Sequence, residues 1–341
     1  MFINGVIFPK AMSTYWQGKR VLVTGGLGFI GSTLAIRLVQ LGSYVTIVDA
    51  MIPFLGGNEF NIDIIKNSPL LKVNISNIYD RESMEHLVKN QDHIFHLASQ
   101  VSHILGQIDP LPDIQYNILG TTTLLEACKK NNPSVKILYT GTRGQYGPAM
   151  HNPIPEEASL SPLGLHEITK VAAEQILLQY HKRHCIKSIL TRLTNIYGPR
   201  AQMRSDKYCV VNWFIRLALE NQTISLHGGG NYKRDFLFVD DCVGDLIQLA
   251  EKEEAYGNIY NIGNDTAVSF AEIAQLIIAI AETGQTQTTD FTQERKMNEP
   301  GDIYLDITKI RKTISWQQRT SLREGIQKTV AFYRQHKNHY Y

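Results

Sequence analysis

The 341-residue chain has only four cysteines, Cys128, Cys185, Cys209 and Cys242, and none of them forms a C-x-x-C pair. That scarcity argues against a cysteine zinc site or a disulfide framework, so no metal is expected and a reducing cytoplasm is the expected compartment. Net charge is nearly absent as well, with 34 Lys and Arg against 32 Asp and Glu. A balance of +2 carries no electrostatic footprint for nucleic acid or a membrane surface, so neither is an expected partner. No apolar run approaches the roughly 18 residues that suggest a membrane span. The opening stretch "MFINGVIFPKAMSTYWQGKR" lacks the apolar h-region and small-residue cleavage site of a secretory signal. Neither a membrane-spanning chain nor one secreted by that route is expected.

What the chain does have is alternation. Short β-branched runs, "VLVTG" from Val21, "YVTIVD" from Tyr44, "HIFHLA" from His93, "VKILYTG" from Val135 and "SILTRL" from Ser188, alternate with helical patterns. The helical patterns cover Gly31 to Leu41, Asn117 to Asn131 and Ile168 to His184, with apolar residues recurring at three and four. Repeated βα units of this kind predict an α/β fold: a doubly wound, buried parallel sheet of the Rossmann type. The expected dinucleotide-binding domain runs from 19 to 197 and is rejoined by 236–263, where "FLFVDDCVGDLIQLAE" and "IYNIG" again read as strand, helix and strand. The rest of 198–341 is expected to form a smaller substrate-binding lobe, beginning with a turn-rich connection and a helix at Val210 to Glu220.

The first βα turn, "VLVTGGLGFIGSTLAIRLVQ", places Gly25, Gly28, Phe29, Ile30 and Gly31 between a strand and a helix. Glycines there allow a tight turn and close approach of backbone to a pyrophosphate, while the helix N-terminus offers N–H groups and a positive dipole end. Taken alone, such a pattern also fits an ordinary glycine-rich turn. Asp49, ending the second strand 18 residues past Gly31, decides between them, because the two together make the dinucleotide fingerprint. A carboxylate there accepts hydrogen bonds from the ribose hydroxyls and repels a 2′-phosphate, so NAD is favoured over NADP.

The motifs "TGGLGFIG", "HLASQVS", "YTGTRGQYG", "HEITK", "RLTNIYGPR", "KRDFLFVDD" and "EPGD" resemble the extended short-chain dehydrogenase/reductases that act on nucleotide sugars. These include epimerases, 4,6-dehydratases and glucuronate decarboxylases, and the resemblance runs from about Lys19 to the C-terminus, with an epimerase-like texture. It implies a nucleotide-diphosphate sugar as substrate, NAD as cofactor and a homodimer. It places Asn74 and Ile75 at the adenine and Leu97, Ala98 and Gln100 along the cofactor. Asn117 takes a structural role, Thr142 lies on the reacting sugar hydroxyl, Lys170 on the nicotinamide ribose, and Asn195 and Arg234 on the diphosphate. His103, in a loop after the third of the listed strands, is a further substrate-side candidate.

The chain departs from the family pattern at several of these positions. Asn74 stands where an aspartate is usual. Arg143 and Gly144 replace the Asp-Glu pair that performs proton transfer in 4,6-dehydratases, which removes that elimination chemistry. Glu299 precedes "PGD" where an arginine is common, and Arg295 or Lys296 are possible replacements for it. His166 stands four residues before Lys170, where the family has its acid/base tyrosine; the spacing sets both side chains on one helical face.

Imidazole is a competent base near neutral pH, and the Lys170 ammonium and a positive nicotinamide would keep it uncharged. His166 is therefore read as the acid/base, against a hole-filling residue in a protein without catalysis. The expected reaction is C4 epimerisation through a keto-sugar. The alternatives are decarboxylation or oxidation of a nucleotide-linked uronate, with Arg143 on its carboxylate, and binding of NAD and nucleotide sugar without turnover.

Overall fold

The computed structural model describes residues 14–53, 55–101, 105–206, 209–291, 299–315 and 320–341. Twelve strands are present among them: β1 (Arg20–Thr24), β2 (Tyr44–Asp49), β3 (Leu71–Ile75), β4 (His93–His96), β5 (Lys136–Thr142), β6 (Lys187–Leu193), β7 (Asn195–Tyr197), β8 (Thr223–His227), β9 (Lys233–Phe238), β10 (Ile259–Ile262), β11 (Ala267–Ser269) and β12 (Gln285–Thr289). Seven form one sheet in the order β10-β6-β5-β4-β1-β2-β3, with every neighbouring pair parallel. This is the doubly wound Rossmann-type sheet that the alternating pattern predicts.

The apolar runs are nearly unbroken because both faces of the sheet are covered. Val21 and Val23 of β1 pack into one buried cluster while Leu22 between them packs into the other. Val45 and Ile47 of β2 separate from Val48 in the same way, as strand alternation requires. Of these seven strands, β3 has the thinnest apolar signal and is not expected from the pattern, because its sheet-edge position leaves Lys72, Val73 and Ile75 exposed.

The order reverses beside β1, with β2 on one side and β4 on the other, and the C-terminal ends of these strands open the crevice where doubly wound sheets take their ligands. A smaller three-stranded sheet, β11-β9-β7, stands beyond it and rests on a third buried cluster containing Phe236, Ile273 and Ile326. Strand β7 follows β6 after a single residue, so the chain passes directly from the large sheet into the small one at the crevice mouth. No helix among the described residues is long and apolar enough to cross a membrane.

Candidate active site

One cleft of about 590 Å³ runs along the C-terminal ends of the central strands. Its cofactor end is lined by Gly25, Gly28, Phe29, Ile30, Gly31, Asp49, Leu97 and Ala98. Gly25 adopts a positive φ of 70°, and a Cβ there would lie 2.9 Å from the Ala98 backbone nitrogen. The following helix, Phe29–Gln40, starts at Gly28 with no side-chain cap, which leaves its first-turn N–H groups for an anion. Asp49 accepts from the backbone N–H groups of Leu27 and Met51, both at 3.0 Å, although burial raises its pKa. This carboxylate ties the glycine loop to β2 and faces the cleft, so the residues fit NAD.

Gly31 is the tightest of these glycines, since a Cβ would meet the Gly25 carbonyl oxygen at 2.2 Å. Backbone cannot yield as a flexible side chain can. Gly31→Ala is therefore expected to cost about 1–3 kcal/mol and to abolish the rise in Tm that NAD produces in the wild type, measured by thermal denaturation with and without NAD.

On the adenine side the cleft begins just after the expected residues. Asn74 and Ile75 do not line the cleft: β3 pairs with the end of β2, Asp49 opposite Ile75, and strand alternation turns Ile75 to solvent at 55 % exposure. Asn74 instead accepts the Ser76 hydroxyl at 2.6 Å. The chain first bends over the cleft at Ser76, Asn77 and Ile78. Gln100 is buried and lines an adjoining hollow of about 230 Å³ that shares Ile52 and Tyr116 with the cleft. His103, Arg295 and Lys296 lie outside the described residues.

At the reacting end, the helix Leu165–His184 turns His166, Thr169, Lys170, Ala173, Glu174 and Leu177 inward, a buried face at helical spacing. His166 and Lys170 both line the cleft. The Lys170 ammonium donates to the Thr140 carbonyl at 3.0 Å and lies 5.0 Å from the Tyr139 ring centroid. Burial pulls its pKa down to about 7, with Asp113 opposing that shift.

Thr142, at the end of β5, caps the short turn Arg143–Tyr146. Its hydroxyl accepts from the Gly144 N–H at 3.2 Å, and its own N–H donates to Gln145 Oε1 at 2.9 Å. Gln145 in turn donates to Glu174, whose carboxylate is gripped by Arg192 Nε and Nη2 at 3.0 and 2.7 Å. This buried chain fixes the Thr142 turn against the histidine helix.

Arg143 reaches the cleft and donates through Nη2 to Asn195 Oδ1 at 3.0 Å; desolvation, followed by the neighbouring Arg234, lowers its pKa to about 10. Asn195 Nδ2 is buried without a hydrogen-bond partner among the described residues. Arg234 arrives on β9, which pairs with β7 beside Asn195. Its Nη2 is bound to Glu299 at 2.5 Å and its Nη1 donates to the Lys233 and Gly301 carbonyls. Glu299 therefore occupies the guanidinium that the resemblance assigns to a diphosphate. Glu299 departs from the family pattern in the sequence, and its pairing with Arg234 follows from the isolated bridge between Arg234 and Ile303.

The sequence gives no sign of the buried partner of His166. Asp113, at the end of the short helix Leu111–Asp113, is fully buried and accepts from His166 Nδ1 at 3.1 Å. Asn117 donates to the same carboxylate oxygen at 3.1 Å and to Thr169 at 2.8 Å, and accepts from Ser99 at 2.9 Å. A π-helical stretch, Ile114–Leu119, joins Asp113 to the next helix; such irregular turns are frequent at functional sites.

The GDP-mannose 4,6-dehydratase family model matches residues 22–329. UDP-glucuronic acid decarboxylase 5 of Arabidopsis thaliana is 31% identical over 327 residues, 93% of this chain and 90% of that protein. Among solved structures, the UDP-glucose 4-epimerase of Thermotoga maritima with UDP-glucose is 28% identical, with a TM-score of 0.85 over 93% of this chain and 99% of that one. The UDP-glucose 4-epimerase of Thermus thermophilus in complex with NAD is 26% identical, with a TM-score of 0.81 over 92% and 99%. With the glycine cradle, the nucleotide-sugar motifs and these likenesses together, the chain belongs to the GDP-mannose 4,6-dehydratase family of NAD-dependent nucleotide-sugar epimerases, dehydratases and decarboxylases, within the extended short-chain dehydrogenase/reductases.

Proposed function

We propose that this protein uses NAD to oxidise C4 of a nucleotide-linked hexuronate and releases the uronate carboxyl group as CO₂. The observation that carries this reading is Arg143, a guanidinium in the cleft directly after Thr142, where a dehydratase would need an acid. A planar cation beside the reacting centre suits a carboxylate, and the similarity to UDP-glucuronic acid decarboxylases favours it over the epimerisation expected from overall texture.

NAD, when bound, accepts the C4 hydride and returns it at the end of the cycle. Thr142 orients the C4 hydroxyl and His166 takes its proton. The product is a β-keto acid, in which the C5–C6 bond breaks, CO₂ leaves, and the electron pair enters the C4 carbonyl as an enolate. Reprotonation at C5 and reduction at C4 complete the pentose. Lys170 holds the cofactor ribose, while Asn195 and Arg234 hold the diphosphate. Incubation with NAD and UDP-glucuronate is expected to release CO₂ and UDP-pentose; a C4 epimer with no CO₂ would instead establish epimerisation.

Glu299 bears on affinity, because a carboxylate against Arg234 repels an incoming diphosphate. Glu299→Gln is expected to tighten binding of UDP-glucuronate by roughly tenfold, about 1.4 kcal/mol, read by titration calorimetry.

The same reading includes a homodimer. Ile114, Leu119 and Ile168 are 41, 50 and 48 % exposed on Ile114–Leu119 and Leu165–His184, two segments packed together. Sedimentation velocity is expected to give twice the chain mass, and Ile168→Glu to give monomer.

A further inference from the structure

We infer that Asp113 is a positioning residue that makes His166 a base, by fixing the imidazole tautomer and stabilising the imidazolium formed during turnover. The inference deepens the proposed function, since it rests on His166 as the acid/base.

An ionised carboxylate can only accept hydrogen bonds, so its contact with His166 Nδ1 at 3.1 Å puts the ring proton on Nδ1. Nε2 then carries the lone pair. His166 lines the cleft, and the sugar hydroxyl proton passes to Nε2 as the C4 hydride leaves the sugar. The carboxylate holds and stabilises the imidazolium it faces, which returns the proton on the reductive step. The arrangement follows the same physical logic as other histidines oriented by a buried carboxylate.

Three features of the fold serve this contact. Asp113 is fully buried and His166 only 4 % exposed, so water competes weakly for the pair. Asn117 Nδ2 donates to the same Asp113 oxygen at 3.1 Å and also to Thr169 on the histidine helix at 2.8 Å, locking one element to the other. Gly106 leaves the space the carboxylate occupies: a Cβ there would approach Asp113 Oδ2 to 2.3 Å. Asp113 also favours the charged form of Lys170, so one carboxylate serves the lysine and, during turnover, the imidazolium on this helix face. The sequence reading placed His166 next to positive charge alone; Asp113 supplies the negative charge that a transient imidazolium needs.

The test uses the full chain loaded with NAD and assayed with UDP-glucuronate. An asparagine can keep its amide oxygen where Asn117 and His166 both donate, so the variant is Asp113→Leu, which is similar in size and leaves Nδ1 no acceptor, letting the ring proton move to Nε2. It is expected to lower kcat at least 100-fold while KM changes less than about threefold, on the scale of tautomer-fixing carboxylates elsewhere. In ¹⁵N-histidine spectra, the signal missing from His166→Ala is expected to report the Nδ1–H form in wild type and the Nε2–H form in Asp113→Leu. The double variant Asp113→Leu/His166→Ala is expected to turn over no more slowly than His166→Ala alone.

Should Asp113→Leu fold poorly, Gly106→Ala keeps every polar group and displaces only the carboxylate, with the same loss in kcat expected. Losses that multiply in the double variant, or a tautomer unchanged by Asp113→Leu, overturn the inference. If His166→Ala turns over normally, the acid/base reading itself fails. The tautomer measurement needs no turnover, so the two failures are distinguishable.

Discussion

His166→Ala is expected to lower kcat by about 100- to 10,000-fold, the usual worth of a positioned acid/base, while the NAD-induced rise in Tm stays at the wild-type value. The two readouts separate because His166 lies at the reacting end of the cleft, whereas the glycine turn and Asp49 lie at the other. Full turnover in the alanine variant would show that another group moves the proton. Loss of both turnover and the NAD response would show that the side chain holds the site's shape. His166→Tyr tests the geometry from the other direction: it restores the residue that the family carries four places before its lysine, and takes from the fully buried Asp113 carboxylate the imidazole nitrogen it contacts at 3.1 Å.

Lys170→Met is the second large effect, and its sign depends on pH. Burial lowers the lysine pKa to about 7 in the folded protein, against about 10.4 in an unfolded chain. The folded state therefore binds this proton less tightly than the unfolded state does, and burying the charged amine is a penalty present in full below about pH 7. As pH rises from there through the unfolded value, the penalty is relieved and the wild-type protein gains stability. Methionine removes the titration, at the cost of leaving the Thr140 carbonyl without its donor, a loss that does not depend on pH.

The Tm of Lys170→Met relative to wild type is thus expected to be most favourable at pH 6 and to fall by pH 9, by an amount on the order of a few kcal/mol in stability. A constant difference across that range would mean that the amine is not held as the structure places it. Turnover is expected to be lost at every pH, because Lys170 lines the cleft on the same helix face as His166, a functional placement retained against its cost to stability.

The cofactor half of the site was legible in the sequence because its determinants are local. Gly25, Gly28 and Gly31 lie within one strand-turn-helix unit, and Asp49 ends the strand that follows, so a short window contains the cradle and its acid. His166 and Lys170 were legible for a similar reason, since four residues on a helix is one face. The adenine side was less legible: β3 ends at Ile75, and the chain meets the cleft only once it leaves the strand at Ser76, a boundary that periodicity does not mark to within a residue.

By itself the sequence determined the doubly wound fold, the dinucleotide turn, the preference for NAD and the replacement of a tyrosine by His166. Each of these is written in residues close together along the chain or in the period of a strand or helix. Tertiary structure alone decided what His166 and Arg234 face. Asp113 lies 53 residues before its histidine, and Glu299 lies 65 residues beyond its arginine. No local pattern encodes contacts at that separation, because they are set by the π-helical turn that places Asp113 against the Leu165–His184 helix and by the strand bridge that brings Ile303 to Arg234.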